Sequence, residues 1–199
     1  AYAVAYARAT TTLTVLAVAG GAVALINLVA WLKRLGFAAT TVAAIAIGFS
    51  CSAAFLGYAQ TGASYVPALG MLVLGLNGVA AADDDPTKWK VVWASLAFAA
   101  GVLFWFPIVL GVPAAAISMI VLRGNNRVRR LIAISVCAIS GSVTVIAYVL
   151  IARAAGVHSI AEFRTWMSHS ANGVAGIGGL PRVVVGFGRS VLNMDRLGL

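Results

Sequence analysis

Acidic residues are scarce in this chain: Asp and Glu together account for 5 of 199 residues, and all charged residues for only 10%. Hydrophobic residues make up 62% of the chain, and the mean hydropathy is +1.00. A soluble domain of this length could not cover so much apolar surface with so few charges. The composition therefore excludes an ordinary soluble protein and predicts a membrane protein whose apolar surface is covered in part by lipid.

The apolar stretches also lack acidic, basic and histidine residues in their interiors. Proton relays, voltage sensors and ion pathways generally need such groups at membrane depth, so channel and ion-coupled transport functions are disfavoured. A small-solute transporter would be favoured by an inverted internal repeat, and we find no convincing self-similarity. The most polar residues of these stretches are Asn27 and Asn77, each near the end of a span, where its hydrogen bonds are easily satisfied.

Cysteine is rare too, and no metal or cofactor is predicted. Cys51 and Cys137 each lie within an apolar stretch without metal-ligand spacing, so we expect both to be buried small hydrophobic residues. His158 and His169 are separated by eleven residues with a single Glu between them. That arrangement is a poor match to known zinc-ligand spacings.

Apolar stretches of membrane-spanning length are abundant, since a spanning helix needs about 20 residues to cross roughly 30 Å of hydrocarbon. The stretch from Val91 to Leu122 is too long for one helix, and Pro107, Gly111 and Pro113 predict a break within it. We therefore predict an all-α, polytopic transmembrane bundle over residues 1–152. Its six spans are about 11–32, 37–58, 65–82, 91–106, 109–122 and 131–152.

The positive charges support this division, because loops on the cytoplasmic side carry an excess of Lys and Arg. With six spans, loops 33–36, 83–90 and 123–130 share one side, whereas turns 59–64 and 107–108 carry no charge. Both termini then lie outside the cell inner (plasma) membrane. These loops carry most of the net charge of +9, so the charge indicates contact with anionic lipid head groups and no nucleic-acid partner. Their basic residues are Lys33, Arg34, Lys88, Lys90, Arg123, Arg127, Arg129 and Arg130.

The spans are rich in Ala, Gly and Ser. Helices in lipid associate through close backbone approach at such small residues, because hydrophobicity gives them little preference for one another. Pairs four residues apart, Gly20/Ala24, Ala53/Gly57 and Ala97/Gly101, predict a tightly packed bundle. General compactness explains them better than a specific dimer motif.

Residues 153–199 form the predicted extracytoplasmic or interfacial segment, which includes most of the chain's remaining reactive groups. Ser159 and Glu162 form a capping-box pattern that predicts a helix over about residues 160–168. A Gly-rich loop follows at 173–179; it matches neither phosphate-binding fingerprint and is read as a flexible connector. Candidate contacts to lipid phosphate or the membrane interface are Arg153, Arg164, Arg182 and Arg189, and candidate outer polar groups are His158, Glu162 and His169.

The order of these features resembles the GT-C superfamily of membrane glycosyltransferases, which includes protein O-mannosyltransferases and aminoarabinose transferases. The likeness is carried by a basic turn at 31–36 followed by Gly48-Phe49-Ser50 and the segment 58–67. It continues with Trp89-Lys90 leading into a hairpin over 96–113, and with 156–163 followed by Trp166. Together these motifs cover most of the chain, although each one alone has low specificity.

The resemblance implies a polyprenyl-phosphate sugar donor and an extracytoplasmic site. The family's catalytic carboxylate lies in its first outer loop, for which this chain has no counterpart, so catalytic residues stay unassigned and the arginines could only hold the lipid phosphate. We also expect additional N-terminal sequence, because the chain starts within a small-residue run without an initiator Met. The alternative is a non-catalytic accessory subunit that packs against other membrane subunits.

Overall fold

The computed structural model describes residues 2–52, 55–56, 64–124 and 126–170. These residues form helices and no strand, as the sequence predicts. The chain divides into two compact units, residues 1–147 and 148–199. The helices are α1 (Tyr2–Arg34), α2 (Ala39–Ser50), α3 (Tyr65–Asp84), α4 (Lys88–Phe104), a 3₁₀ turn (Phe106–Leu110), α5 (Gly111–Arg123), α6 (Arg127–Ala154) and α7 (Ile160–Ser170).

Among the described residues, three helical segments are long and apolar enough to cross a membrane: Thr11–Arg34, Tyr65–Asp84 and Arg127–Ala154. Helices α2, α4 and α5 are apolar but contain only 12, 17 and 13 residues. Helix α2 ends at Ser50, well before the predicted boundary at residue 58. Cys51 therefore lies at the end of the helix and is exposed, and Cys137 is only half-buried. The prediction that both are buried was wrong.

The predicted break in the long apolar stretch is present. Helix α4 ends at Phe104, the next residue Trp105 is extended with φ −152°, and Pro107 lies in the first turn of the 3₁₀ segment. Proline has no amide hydrogen to donate, so the start of a helical turn is where it costs least. The second proline, Pro113, lies within the first turn of α5. The two prolines thus separate two helices.

Helix α3 lies at the centre of the first unit, and α1 runs beside it in the same direction. Near the start of α3, Gly70 is in contact with Gly20 of α1. At the other end, the Arg34 guanidinium lies 3.0 Å from the Asp84 carboxylate. Since residue numbers increase together along both helices, the chain must return between α1 and α3, through α2 and the residues that follow it.

Helix α4 runs antiparallel to α3. Gly78 of α3 packs against Ala94 near the start of α4, whereas Tyr65 at the start of α3 contacts Trp105 just after α4, with ring centroids 5.0 Å apart. Each end of the first unit therefore contains residues from both α3 and α4.

Helix α5 runs parallel to α3. Gly111 at the start of α5 packs against Leu72, and Met119 lines the same groove as Asp83, which is eleven residues further along α3 than Leu72. The consequence is that α1, α3 and α5 end, and α4 begins, at the same end of the unit.

Small residues make these crossings possible, as the sequence predicts. Gly20, Ala24, Ala97 and Gly101 are buried at helix contacts. A β-carbon placed on Gly20 would lie 2.5 Å from the Cα of Pro67, closer than a side-chain carbon can approach backbone. The third predicted pair, Ala53/Gly57, lies outside the described residues.

Candidate functional site

The predicted basic loops meet at one end of the first unit, where three consecutive aspartates lie at the end of α3, two as its last residues and the third directly after it. Each pairs with a cation from a different element: Asp83 with Arg129 at 2.6 Å, Asp84 with Arg34 at 3.0 Å, and Asp85 with Lys90 at 2.6 Å. The aspartates thus connect the ends of α1, α3, α4 and α6. We call this cluster of Asp83, Asp84, Asp85, Arg34, Lys90 and Arg129 the charged cluster.

The Asp83–Arg129 pair is the most buried member of the charged cluster. The Asp83 side chain is 4% exposed and that of Arg129 is 23% exposed. Arg129 also donates from Nη1 to the Gly124 carbonyl, and its backbone amide donates to the Asn126 side chain, which caps the first turn of α6. Arg129 therefore holds the start of α6, the α5–α6 loop and the end of α3 together.

A line of amide and guanidinium groups extends from the charged cluster toward the interior. Arg34 donates from Nε to Asn77 Oδ1, Asn77 donates to Asn27 Oδ1, and Asn27 donates to the Val23 carbonyl, at 3.0, 3.0 and 2.9 Å. The prediction that both asparagines are readily satisfied is confirmed. Because each group has a partner, the line stabilises the α1–α3 contact without leaving a buried polar atom unpaired.

The connection from α6 to α7 forms the second polar region, and backbone hydrogen bonds shape it. The Gly156 amide donates to the Arg153 carbonyl and the Val157 amide donates to the Ala152 carbonyl, which together form a Schellman motif. Gly156 has φ +80°, a left-handed conformation that only glycine adopts without strain. The motif ends α6 abruptly and turns the chain toward Ser159.

The predicted capping box at Ser159 and Glu162 is confirmed. The Glu162 amide donates to Ser159 Oγ at 3.1 Å, and the Glu162 carboxylate accepts from the amides of Ser159 and His158 at 3.2 and 2.7 Å. Helix α7 begins at Ile160 and extends to Ser170, two residues beyond the predicted end. The amide hydrogen bonds of His158 and Ser159 lower the pKa of Glu162 below its usual value.

The two motifs together form a shallow groove of about 220 Å³ at the end of α6. Its apolar wall comes from both helices and the turn: Val149, Ala152, Val157, Ile160 and Phe163. Its polar groups are Arg153, His158 and Ser159. We call this the Arg153 groove. A cation beside an apolar wall suits an amphipathic ligand with an anionic head group.

The structure separates the predicted site residues. Arg153 and His158 share the Arg153 groove, whereas Arg164 is exposed on α7 and does not line it. Glu162 belongs to the cap, and His169 lies in the last turn of α7. Arg182 and Arg189 lie outside the described residues. Within the residues described, no group of three His, Cys, Asp or Glu side chains is placed to hold a metal ion.

Each carboxylate in the described part of the chain already has a partner. The three aspartates pair with cations in the charged cluster, and Glu162 accepts two backbone amides. A general base must reach the proton of its substrate, and a carboxylate already engaged in this way would first have to leave its partners. In this structure the described carboxylates therefore connect helix ends and cap α7.

Sequence reasoning assigned no role to Asp83, Asp84 and Asp85, although they include most of the chain's acidic residues. The available signal was their position: three carboxylates directly after an apolar span, in a chain whose other two loops at this end are basic. Oppositely charged loops predicted to share one side of a membrane can pair. Nothing in the sequence indicates which cation pairs with which aspartate.

No protein-family model, curated protein or solved structure matches this chain.

Proposed function

We propose that the chain is a six-span integral membrane protein with the charged cluster on the cytoplasmic side of the cell inner (plasma) membrane. The support comes from helix direction: α1, α3 and α5 run toward the charged cluster, α4 runs away from it, and α6 starts there at Arg129. The chain returns between α1 and α3, so six passes account for this order. The segment that begins at Arg153 then lies outside, as the positive-inside rule requires.

Aromatic residues near the ends of α4 support a membrane crossing despite its 17 residues. Trp89 and Trp93 are exposed near its first turn, and Trp105 follows its last. Trp89 and Trp105 are separated by about 24 Å at 1.5 Å per residue. Tryptophan is enriched at both membrane–water interfaces, and this separation is about four fifths of the roughly 30 Å thickness of the hydrocarbon layer.

Cysteine accessibility tests this topology. In a Cys51→Ala/Cys137→Ala background, we introduce Ser64→Cys, Thr87→Cys or Ala155→Cys, all at exposed positions. A membrane-impermeant maleimide added to intact cells should label the Ser64→Cys and Ala155→Cys variants, whereas Thr87→Cys should react only after permeabilisation. Labelling of Thr87→Cys alone in intact cells would show that the orientation is the inverse of the one proposed. Labelling of Thr87→Cys and Ala155→Cys from the same side would disprove six spans.

Within this topology, we propose that the chain is the membrane portion of a glycosyltransferase that uses a lipid-linked sugar donor, and that it holds the donor's phosphate. The observation that supports this proposal is the Arg153 groove. Arg153 and His158 lie beside an apolar wall at the proposed outer surface, where a polyprenyl chain and its phosphate would meet the protein. The catalytic carboxylate is assigned to a part of the enzyme outside the described residues, because those within them are engaged.

Photocrosslinking tests the proposed phosphate contact. A photoreactive polyprenyl phosphate should label the purified protein at the Arg153 groove, and Arg153→Ala should reduce labelling by about tenfold or more, the value of a charge-assisted hydrogen bond. Arg164→Ala is the matched control, since Arg164 is exposed nearby but outside the groove, and should change labelling little. Equal labelling of wild type and Arg153→Ala would refute the contact.

A non-catalytic accessory subunit is the second candidate. Helix α6 favours it, because only 11% of the residues in its most apolar window are buried within the chain, which leaves a large apolar face for lipid or a partner helix. Competition distinguishes the two. If an ordinary phospholipid displaces the polyprenyl probe from the groove as well as a polyprenyl-phosphate sugar does, the groove is an interfacial anchor and the accessory function is favoured.

A further inference from the structure

A second groove lies between α1, α3 and α5, beside the charged cluster. It measures about 160 Å³, and its wall is formed chiefly by apolar side chains, among them Leu35, Leu76, Val79 and Met119. Trp31 also lines it; the indole ring suits the level of the lipid head groups. We call this the Trp31 groove. It belongs entirely to the first unit and shares no residue with the Arg153 groove.

The charges around the Trp31 groove are unbalanced. Asp83 lines the groove, but its carboxylate is held 2.6 Å from Arg129, so the lining carries little net negative charge. Lys33 and Arg34 lie in sequence between the lining residues Trp31 and Leu35. Loops 33–36, 83–90 and 123–130 together hold eight basic residues against three carboxylates, a formal net charge of +5 at this end of the unit.

We infer that the Trp31 groove binds one acyl chain of an anionic phospholipid from the leaflet at the basic end, whose phosphate is held by the surrounding basic residues. The apolar wall accepts a hydrocarbon chain, and the local excess of positive charge selects a head group with net negative charge. A zwitterionic phospholipid offers the same chain but carries its own ammonium group, so the basic residues give it little advantage. The site is a specific lipid site in addition to the general contacts of basic loops with head groups.

Native mass spectrometry of the purified protein tests this site, with dioleoylphosphatidylglycerol and dioleoylphosphatidylcholine as the two probes. We expect one phosphatidylglycerol to bind at least about tenfold more tightly than phosphatidylcholine, since each basic residue near an anionic lipid contributes a factor of about five. Equal affinity for the two lipids would overturn the inference.

Two substitutions on α5 locate the site. Ser118 is exposed and lines the groove, so Ser118→Phe should fill it and weaken phosphatidylglycerol binding by about tenfold, the equivalent of two lost methylene contacts. Ile117 is the neighbouring residue and is 60% exposed without lining the groove, so Ile117→Phe should bind as wild type does. Ser118→Leu provides a smaller filler and should give an intermediate loss. Equal effects of Ser118→Phe and Ile117→Phe would place the lipid elsewhere.

Charge variants separate the head-group contact from the chain contact. Lys33→Ala should weaken phosphatidylglycerol binding and leave phosphatidylcholine binding unchanged. Arg153→Ala should affect neither, so a failure of the Arg153 groove proposal leaves this result intact. Displacement of phosphatidylglycerol by soluble glycerol phosphate would show that the site takes a free phosphate, and a dimer that forms in place of the lipid complex would show that a second copy covers the groove. Either outcome would overturn the inference.

Discussion

Replacing Gly70 with alanine should lower the free energy of unfolding by at least about 3 kcal/mol, the upper range for overpacking a core. A β-carbon at Gly70 would overlap the carbonyl oxygen of Gly20. Because that atom belongs to the backbone of α1, no side chain can rotate away, and the two helices must separate. Reversible denaturant unfolding of the protein in micelles, followed by circular dichroism, measures the loss.

The same substitution at Gly141 is the control. Gly141 lies within α6, and a β-carbon there would have no neighbour within 4 Å in the described chain. Alanine is favoured over glycine in a helix by about 1 kcal/mol, so Gly141→Ala should be neutral or slightly stabilising. A comparable loss in both variants would mean that the α1–α3 contact is not as close as the structure shows.

Removing the charge of Asp83 should have the second large effect. Asp83→Asn leaves the Arg129 guanidinium without its closest carboxylate in a site where water has little access. Breaking a fully buried pair costs about 3–5 kcal/mol. We expect a loss of about 2–4 kcal/mol in the free energy of unfolding, since Arg129 keeps some contact with water. The same unfolding measurement applies.

Asp85→Asn is the matched control, because it makes the same chemical change two residues away. The side chains of Asp85 and Lys90 are 66% and 35% exposed, and exposed pairs contribute about 0–1 kcal/mol. A double variant, Asp83→Asn with Arg129→Gln, should recover part of the loss, since it removes the unpaired charge. Equal losses for Asp83→Asn and Asp85→Asn would show that the burial of Asp83 has no energetic consequence.

Local features of the fold could be predicted because the interactions that determine them join residues only a few positions apart in the chain. Ser159 and Glu162 specify the start of α7 through hydrogen bonds that cross one turn. Pro107 specifies a break because it lacks a donor. Gly156 could have been predicted to end α6, since helices commonly end at a glycine in the left-handed conformation. It was not, although the boundary at residue 152 differs from the observed one by only two residues.

Lengths of the apolar helices were harder to predict. Composition continues almost unchanged past Ser50, so a hydropathy window extends the second span to residue 58, whereas α2 ends at Ser50. No proline or charge marks that end. The helix ends with backbone hydrogen bonds from the Cys51 amide to the Ile47 carbonyl and from the Ser52 amide to the Phe49 carbonyl. The residue types at these positions do not predict that hydrogen-bond pattern.

The sequence by itself determined that the chain is helical and apolar, that a break occurs at Pro107, and that eight of its 14 basic residues fall into three loops. Only the tertiary structure decided which faces meet: Gly70 against Gly20, Asp83 with Arg129, and the grooves beside Trp31 and Arg153. The physical reason is that α1 and α3 are apolar around much of their circumference, so hydropathy does not fix their rotation. Close backbone approach and the pairing of a few charges, contacts between residues some fifty positions apart in the chain, fix it instead.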